Sequence, residues 1–356
     1  MAWKLNLIQR VFCGGTMNIQ QALKERIKLQ GMAWSTYKSY WHWCSQFFTW
    51  CADNNIGKET RAELAVEQWL SWLANSQKVA AKTQNGALQA VCYFYREVKK
   101  RPLNNVQAIR AKPKKRVPVV VSVEDVAMLF AHLDGINLLA CQLMYGCGLR
   151  IGEVLRLRIK DISCERKQLH VHDSKGGKGR HTGFPEVLHE AVNIQIDSVR
   201  LVWESDLRNN PGGVSLPDAW RRKSSKSAKR FAWYYLFPSS TLSRLDDGPI
   251  CRHHRHAGNI SRAIREAVDC AGIPKRITAH TLRHAYATHA NEQGVDVTNL
   301  QQLLGHTNIE TTMGYVHANK DRVTASYSPL VTLQSALSNP KQFDKEQPKL
   351  RVYKSA

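Results

Sequence analysis

Six side chains scattered between residues 150 and 315 are of the types that handle a phosphate ester. His280 and Arg283 stand three apart in His280-Thr281-Leu282-Arg283-His284, so a helix there would show both on one face. His306 follows in a Leu304-Gly305-His306 turn, and Tyr315 comes after it. Upstream, Arg150 lies in Gly148-Leu149-Arg150-Ile151-Gly152-Glu153, and Lys175 in Ser174-Lys175-Gly176-Gly177-Lys178. A phosphodiester resists attack because nucleophile and phosphate repel, and because charge builds on the phosphoryl oxygens in the transition state. Positioned cations relieve both problems. The forked donors of Arg150 and Arg283 suit phosphate oxygens. His280 and His306 are further donors or proton shuttles, and Lys175, on a hairpin tip, could protonate a leaving oxygen. Tyr315 is the candidate nucleophile. A phenol with an ordinary pKa of about 10 is a poor one, so nearby cations would have to activate it. Glu153, one helical turn from Arg150, could orient a catalytic side chain.

The charge balance points to the same kind of substrate. The 356 residues hold 51 Lys and Arg against 29 Asp and Glu, a net charge of +22. Such an excess calls for a polyanion or an anionic surface. More than half of it falls before residue 118. No membrane partner competes: the most apolar run, Leu138 to Leu149, is interrupted by Gln142 and Gly146 and is too short to span a bilayer. The first residues make no convincing signal peptide. Nine cysteines without a C-x-x-C pair read as reduced structural thiols in a cytosolic protein. His280-x-x-x-His284 and Arg252-His253-His254-Arg255-His256 raise a metal-dependent hydrolase as a rival. The H-E-x-x-H pattern is missing, no acidic cluster accompanies these histidines, and neither metal nor cofactor is expected.

Several elements must position these groups. Residues 1–16 form an unassigned extension. Residues 17–100 read as a compact helical domain: one helix capped by Ser35-Thr36 and running to about Asn54, a second opened by Thr60, a third from about Lys82 to Lys99. The aromatics Tyr37, Tyr40, Trp41, Trp43, Phe47, Phe48 and Trp50 suit a helix packed on several sides better than a base-stacking surface. Residues 101–118 are a linker whose cations include Lys112, Lys114, Lys115 and Arg116 and which has no acid. It is either a solvated tether or, as favoured here, a segment lying along a phosphate backbone. The second domain covers 119–337. Ser122 to Asp125 is a capping-box start, Leu138 to Tyr145 a buried helix, and Gln168 to Phe184 a hairpin. Pro185 opens a helix to about Asp206, Phe231 to Ser239 is strand-like, and Asn259 to Ala271 is an amphipathic helix. Residues 338–356 read as a mobile tail.

Gly148-Leu149-Arg150-Ile151-Gly152-Glu153, the hairpin Lys175, His280-x-x-Arg283, Leu304-Gly305-His306 and Tyr315 together resemble the tyrosine recombinases, or phage integrases, over about residues 17–325. The resemblance implies a mainly α protein, with an N-terminal helical, SAM-like core-binding domain. Its catalytic domain would be mixed α/β and mostly helical, with a small antiparallel sheet. It also implies that Tyr315 attacks the scissile phosphate to give a 3′-phosphotyrosine and a free 5′-hydroxyl. Arg150, Arg283, His280 and His306 would stabilise the transition state, Lys175 would be the general acid and Glu153 would support them. A monomer would assemble into a tetramer on DNA, in the bacterial cytoplasm at the nucleoid.

A narrower likeness concerns residues 207–258, which resemble the segment that integron integrases carry before the His-x-x-Arg helix. The match rests on Gly212-Gly213, Trp233 to Ser239 and Arg252-His253-His254. It implies that Trp233, His253 and His254 hold bases flipped out of folded single-stranded attC hairpins. The cations Arg221, Arg222 and Lys223, with Lys178 and Arg180 of the hairpin, would meet phosphate. Double-stranded attI-like sites would be the second substrate. The alternatives are a phage- or transposon-type integrase acting on double-stranded att sites, and a non-catalytic DNA-binding relative.

Overall fold

A computed structural model describes residues 18–56, 60–106, 121–172, 179–210, 212–244 and 249–305. The chain divides into two compact units, Met1–Val117 and Pro118–Ala356.

The described residues of the first unit form the helices α1 (Ile19–Leu29), α2 (Trp34–Asp53), α3 (Ala62–Asn75) and α4 (Ala81–Tyr93). Its centre is aromatic. Phe47, Phe48, Trp69 and Phe94 are fully buried, and the Phe47 and Trp69 rings meet edge to face at 5.2 Å. Trp41, Trp43 and Trp50 of α2 pack against this core, whereas Trp34 is 43% exposed. The aromatics of α2 therefore build the core, as their spread over several helical faces implies.

Two helix starts differ from the sequence reading. The α2 helix begins at Trp34 with Ala33 before it and no side-chain cap, its first turn held by Trp34 stacked on Tyr37 at 4.5 Å. The α3 helix begins at Ala62, two residues past Thr60. The expected continuous third helix instead ends at Tyr93 and passes into one π-helical turn, Phe94–Val98. The wider turn buries the consecutive Phe94 and Tyr95 together, which a regular α turn does less readily. It also presents Glu97 to Arg26 of α1 at 2.9 Å.

The second unit is built on α5 (Val123–Ala131), α6 (Gly135–Gly146) and α7 (Ile151–Arg156), followed by a 3-10 turn, Ile159–Asp161. The Ser122–Asp125 capping box forms as expected. The sheet order is β1 (Ile162–Ser163), β2 (Gln168–Val171), β3 (Arg180–Gly183), all antiparallel. Leu169 and Val171 alternate into the core, which also holds Leu143, Tyr145 and Phe184. A 3-10 turn, Glu186–Leu188, precedes the long α8 (His189–Asn209).

The basic stretch after α8 folds as α9 (Asp218–Lys223) and a 3-10 turn, Ser225–Lys229. Phe231–Trp233 is also a 3-10 turn rather than strand; pairing begins only at Tyr235, which bridges Arg158. The buried Arg158 guanidinium donates to the carbonyls of Trp233 and Ser215, and this pulls the chain out of extended geometry there. Then come β4 (Pro238–Arg244) paired with β5 (Ile250–His254), and α10 (Ala257–Cys270), α11 (Ala279–Glu292) and α12 (Val297–Leu304). Among the described residues no helix is long and apolar enough to cross a membrane. Buried thiols such as Cys44 and Cys141 are pushed well up by desolvation, which makes them inert packing groups.

Candidate active site

The site is assembled by one carboxylate and the ends of two helices. Arg150 precedes α7, and Glu153 closes the first turn by accepting the Arg150 backbone N–H at 2.8 Å. The same carboxylate accepts from the Arg150 guanidinium at 2.7 Å, from Arg180 at 2.9 and 3.0 Å, and from Arg283 at 3.3 Å. Burial alone would raise this carboxyl group. The Arg180 hydrogen bond and charge, the Arg150 N–H and the Arg283 charge outweigh it and hold the pKa at about 2.

The second helix end is the C-terminus of α12. Its last carbonyls have no partner within the helix and carry the negative end of the dipole. Arg180 donates to Leu303 O at 2.8 Å and Arg283 to Leu304 O at 2.5 Å. The buried arginines thus tie α11 and β3 to the turn from which His306 follows in sequence. Gly305 ends α12 at φ +64°, and a Cβ there would lie 2.9 Å from Arg180 Cδ. Gly148 matters in the same way. Its φ is +64°, its carbonyl accepts from Arg283 at 2.8 Å, and a Cβ would lie 2.6 Å from the Tyr286 ring. Gly148 and Gly305 are therefore places where a positive φ and a close side chain both favour glycine, whereas a Cβ on Gly152 would meet nothing nearer than 3.6 Å.

The structure brings Arg150, Glu153, His280 and Arg283 together. The Arg150 side chain is 44% exposed while that of Arg283 is 3% exposed, so one guanidinium faces outward and the other sets the floor. His280 sits on the first turn of α11 with its ring against His284, centroids 4.0 Å apart. Partial burial and the charges of Arg283 and Arg150 lower its pKa. Both effects favour the neutral ring. Three guanidiniums on one carboxylate leave a local excess of positive charge open on one side, which suits a phosphate and repels a cation.

Arg180 corrects the sequence reading. It was expected on DNA, but its guanidinium is turned inward, its side chain only 14% exposed. Strand alternation carried the signal: Arg180 and Thr182 share a face of β3, and Thr182 Oγ1 donates to Cys147 O beside the Gly148 turn. Lys175, Lys178, His306, Tyr315 and the linker cations Lys112, Lys114, Lys115 and Arg116 lie outside the described residues.

The other expected contacts form a separate cluster. Trp233 is half-buried, with Arg158 5.2 Å and Lys160 4.7 Å from its ring centre and the exposed Trp220 ring at 5.0 Å. Arg158 also lies 4.2 Å over Tyr235, whose ring is parallel to His253 and edge-on to His254. Trp233, His253 and His254 are thus joined through Arg158 and Tyr235. Arg221, Arg222 and Lys223 lie exposed on α9.

Comparison with known proteins agrees with this geometry. Residues 120–322 match the phage integrase family, and residues 19–105 match the phage integrase N-terminal SAM-like domain. An integrase/recombinase of Escherichia coli is 36% identical over 320 residues, covering 89% of this chain and 94% of that protein. Among solved structures, XerH site-specific recombinase bound to palindromic difH substrate in a post-cleavage complex superposes with a TM-score of 0.55 at 15% identity, over 88% of this chain and 85% of that one. A lambda integrase dimer bound to a COC′ core site gives 0.52 at 17% identity, over 87% and 100%. These two likenesses speak to the fold alone. The family match covers more than half of the chain, and the mostly helical architecture with its small antiparallel sheets agrees with it. The chain belongs to the phage integrase family, the tyrosine recombinases, enzymes that cut and rejoin DNA.

Proposed function

We propose that this recombinase acts at the recombination sites of an integron, exchanging gene cassettes between attI-like double-stranded sites and attC sites folded from one strand. In this reading Tyr315 Oη attacks the scissile phosphorus. The bond to the 5′-oxygen breaks, and that oxygen takes a proton from Lys175. The 3′-phosphotyrosine is then resolved when a 5′-hydroxyl from the partner site attacks it and the phenol leaves. Arg283 and Arg150 neutralise the non-bridging oxygens, with His280 and His306 as further donors. Glu153 and Arg180 hold the guanidiniums in place. The helical first unit, the basic linker 101–118 and the cations of α9 grip the DNA, and four copies assemble on paired sites.

The single observation that supports the chemistry is the convergence of Arg150, Arg283 and His280 around Glu153. The observation that supports the integron reading is the aromatic cluster between α8 and α10. Trp220 is 48% exposed beside Trp233, with Arg221 to Lys223 next to it, so a ring face for a base sits beside cations for its phosphate. An integrase of the phage or transposon type, working on double-stranded sites, would keep the first cluster and have no use for the second.

An exchange assay with folded bottom-strand attC, its top strand and double-stranded att sites tests this. The proposal requires recombination of the bottom strand well above the top. Equal use of both strands, or exchange only between duplex sites, overturns the integron reading and leaves the recombinase chemistry standing.

A further inference from the structure

One face of the three-stranded sheet carries imidazoles that the cleavage chemistry does not use. His170 lies on the face of β2 opposite the core, His172 follows directly after the strand, and His181 of β3 is the register partner of His170, its ring stacked at 4.8 Å. The His170 and His172 rings lie 4.3 Å apart. Beside them is Asp161, whose side chain is 1% exposed. Donor atoms of Asp161, His170 and His172 lie within 4.8 Å of one another.

The carboxylate is fixed before any ligand arrives. Asp161 Oδ2 accepts the Arg158 N–H at 3.0 Å, which leaves Oδ1 aimed at the imidazoles, 2.9 Å from His172 Nε2. Anchoring of this kind is what orients first-sphere metal ligands. A cation already answers the field there. The Lys160 ammonium lies 2.9 Å from Asp161 Oδ1 and 3.3 Å from His172 Nε2. In the same position the ammonium is 4.7 Å from the Trp233 ring centre, a contact that does not depend on Asp161. Gly179 leaves the room His170 needs, for a Cβ there would lie 2.6 Å from its Nε2.

We propose that Asp161, His170 and His172 form an exchangeable site for a divalent transition-metal ion, in which the ion displaces the Lys160 ammonium. Two imidazoles and one carboxylate suit zinc, nickel or copper rather than magnesium, which prefers an all-oxygen shell. Metal–ligand bonds of about 2.0–2.2 Å need donors roughly 3.3–3.6 Å apart in a tetrahedron. The Asp161–His172 pair, at 2.9 Å, needs only to open by a few tenths of an ångström, and rotation of the half-buried His170 ring closes the rest. A fourth position stays open to water. None of the three ligands is a residue assigned to phosphoryl transfer, and no step of that reaction passes through them.

Zinc titration of the tag-free, full-length protein by calorimetry, paralleled by cobalt titration followed in the visible, reads the site. The wild type should take up one ion that His172→Ala binds at least tenfold more weakly, consistent with loss of one ligand. His172 is exposed, and a melting curve for the variant checks its fold. Lys160→Met removes the competing ammonium and should tighten binding severalfold. Identical titrations of wild type and His172→Ala, including the case where neither binds, overturn the proposal. So does a Lys160→Met protein that binds no tighter than wild type.

Discussion

Two clusters a few residues apart in the chain use arginine in opposite ways. Around Glu153, three guanidiniums share one carboxylate, and positive charge is left over on the open side. Around Arg158, one guanidinium is enclosed by the Trp233 and Tyr235 rings and by the carbonyls of Trp233 and Ser215, so its charge is spent inside. The first arrangement offers an outward cation, Arg150. The second offers an outward ring, Trp220, with Trp233 under it. A polyanion with bases needs both: charge where phosphorus reacts, and an apolar face where a base leaves its stack.

The comparison breaks most easily at its buried end. Arg180→Leu leaves the Glu153 carboxylate short of the guanidinium that bonds both its oxygens and frees the Leu303 carbonyl. It should lower the unfolding free energy by about 3 kcal/mol, as removal of one member of a buried ion pair does. Urea unfolding of the full chain checks it, and a change within error would mean that Arg180 is not holding the site.

Acid probes the same carboxylate. The folded pKa of Glu153 is depressed to about 2, so its stabilisation is complete above the ordinary carboxyl range near 4.5 and is lost as pH falls toward 2. Its share is about 3 kcal/mol at neutral pH. Stability should therefore fall less steeply between those pH values in Glu153→Gln than in wild type. Parallel curves would contradict the assignment.

At the exposed end of that cluster, Arg150→Ala should slow cleavage of a suicide substrate roughly a hundredfold or more, by analogy with lost oxyanion donors. Its melting temperature should stay near wild type because the side chain is 44% exposed. An equal loss in both readouts would make Arg150 structural. The second cluster gives the smallest effect. Trp233→Ala should weaken binding of a folded hairpin by about 1–3 kcal/mol per stacked base and leave duplex binding nearly unchanged. Equal weakening on both substrates would erase the difference between the clusters.

Much of this was legible in the residues. Gly148, Arg150, Glu153, His280 and Arg283 stand in short patterns whose spacing matches a helix turn or a tight bend, and such patterns survive folding. The N-terminal aromatics declared a core because no single helical face could hold them. What escaped was set by long-range pairing. Arg180 looked like any basic residue on a hairpin until Glu153 and the end of α12 arrived from distant parts of the chain. The π turn after Tyr93 follows from packing Phe94 and Tyr95 together, which no local propensity encodes. The turn at Phe231 is dictated by Arg158, remote in sequence.

The most direct measurement is trapping of the covalent intermediate. Purified protein given a nicked suicide substrate should form a detergent-resistant adduct whose only linked peptide contains Tyr315. Tyr315→Phe should form none, while binding DNA as wild type does. An adduct that persists in Tyr315→Phe, or a wild-type protein that binds the site and never forms one, would contradict the claim that the Glu153 cluster serves a tyrosine nucleophile.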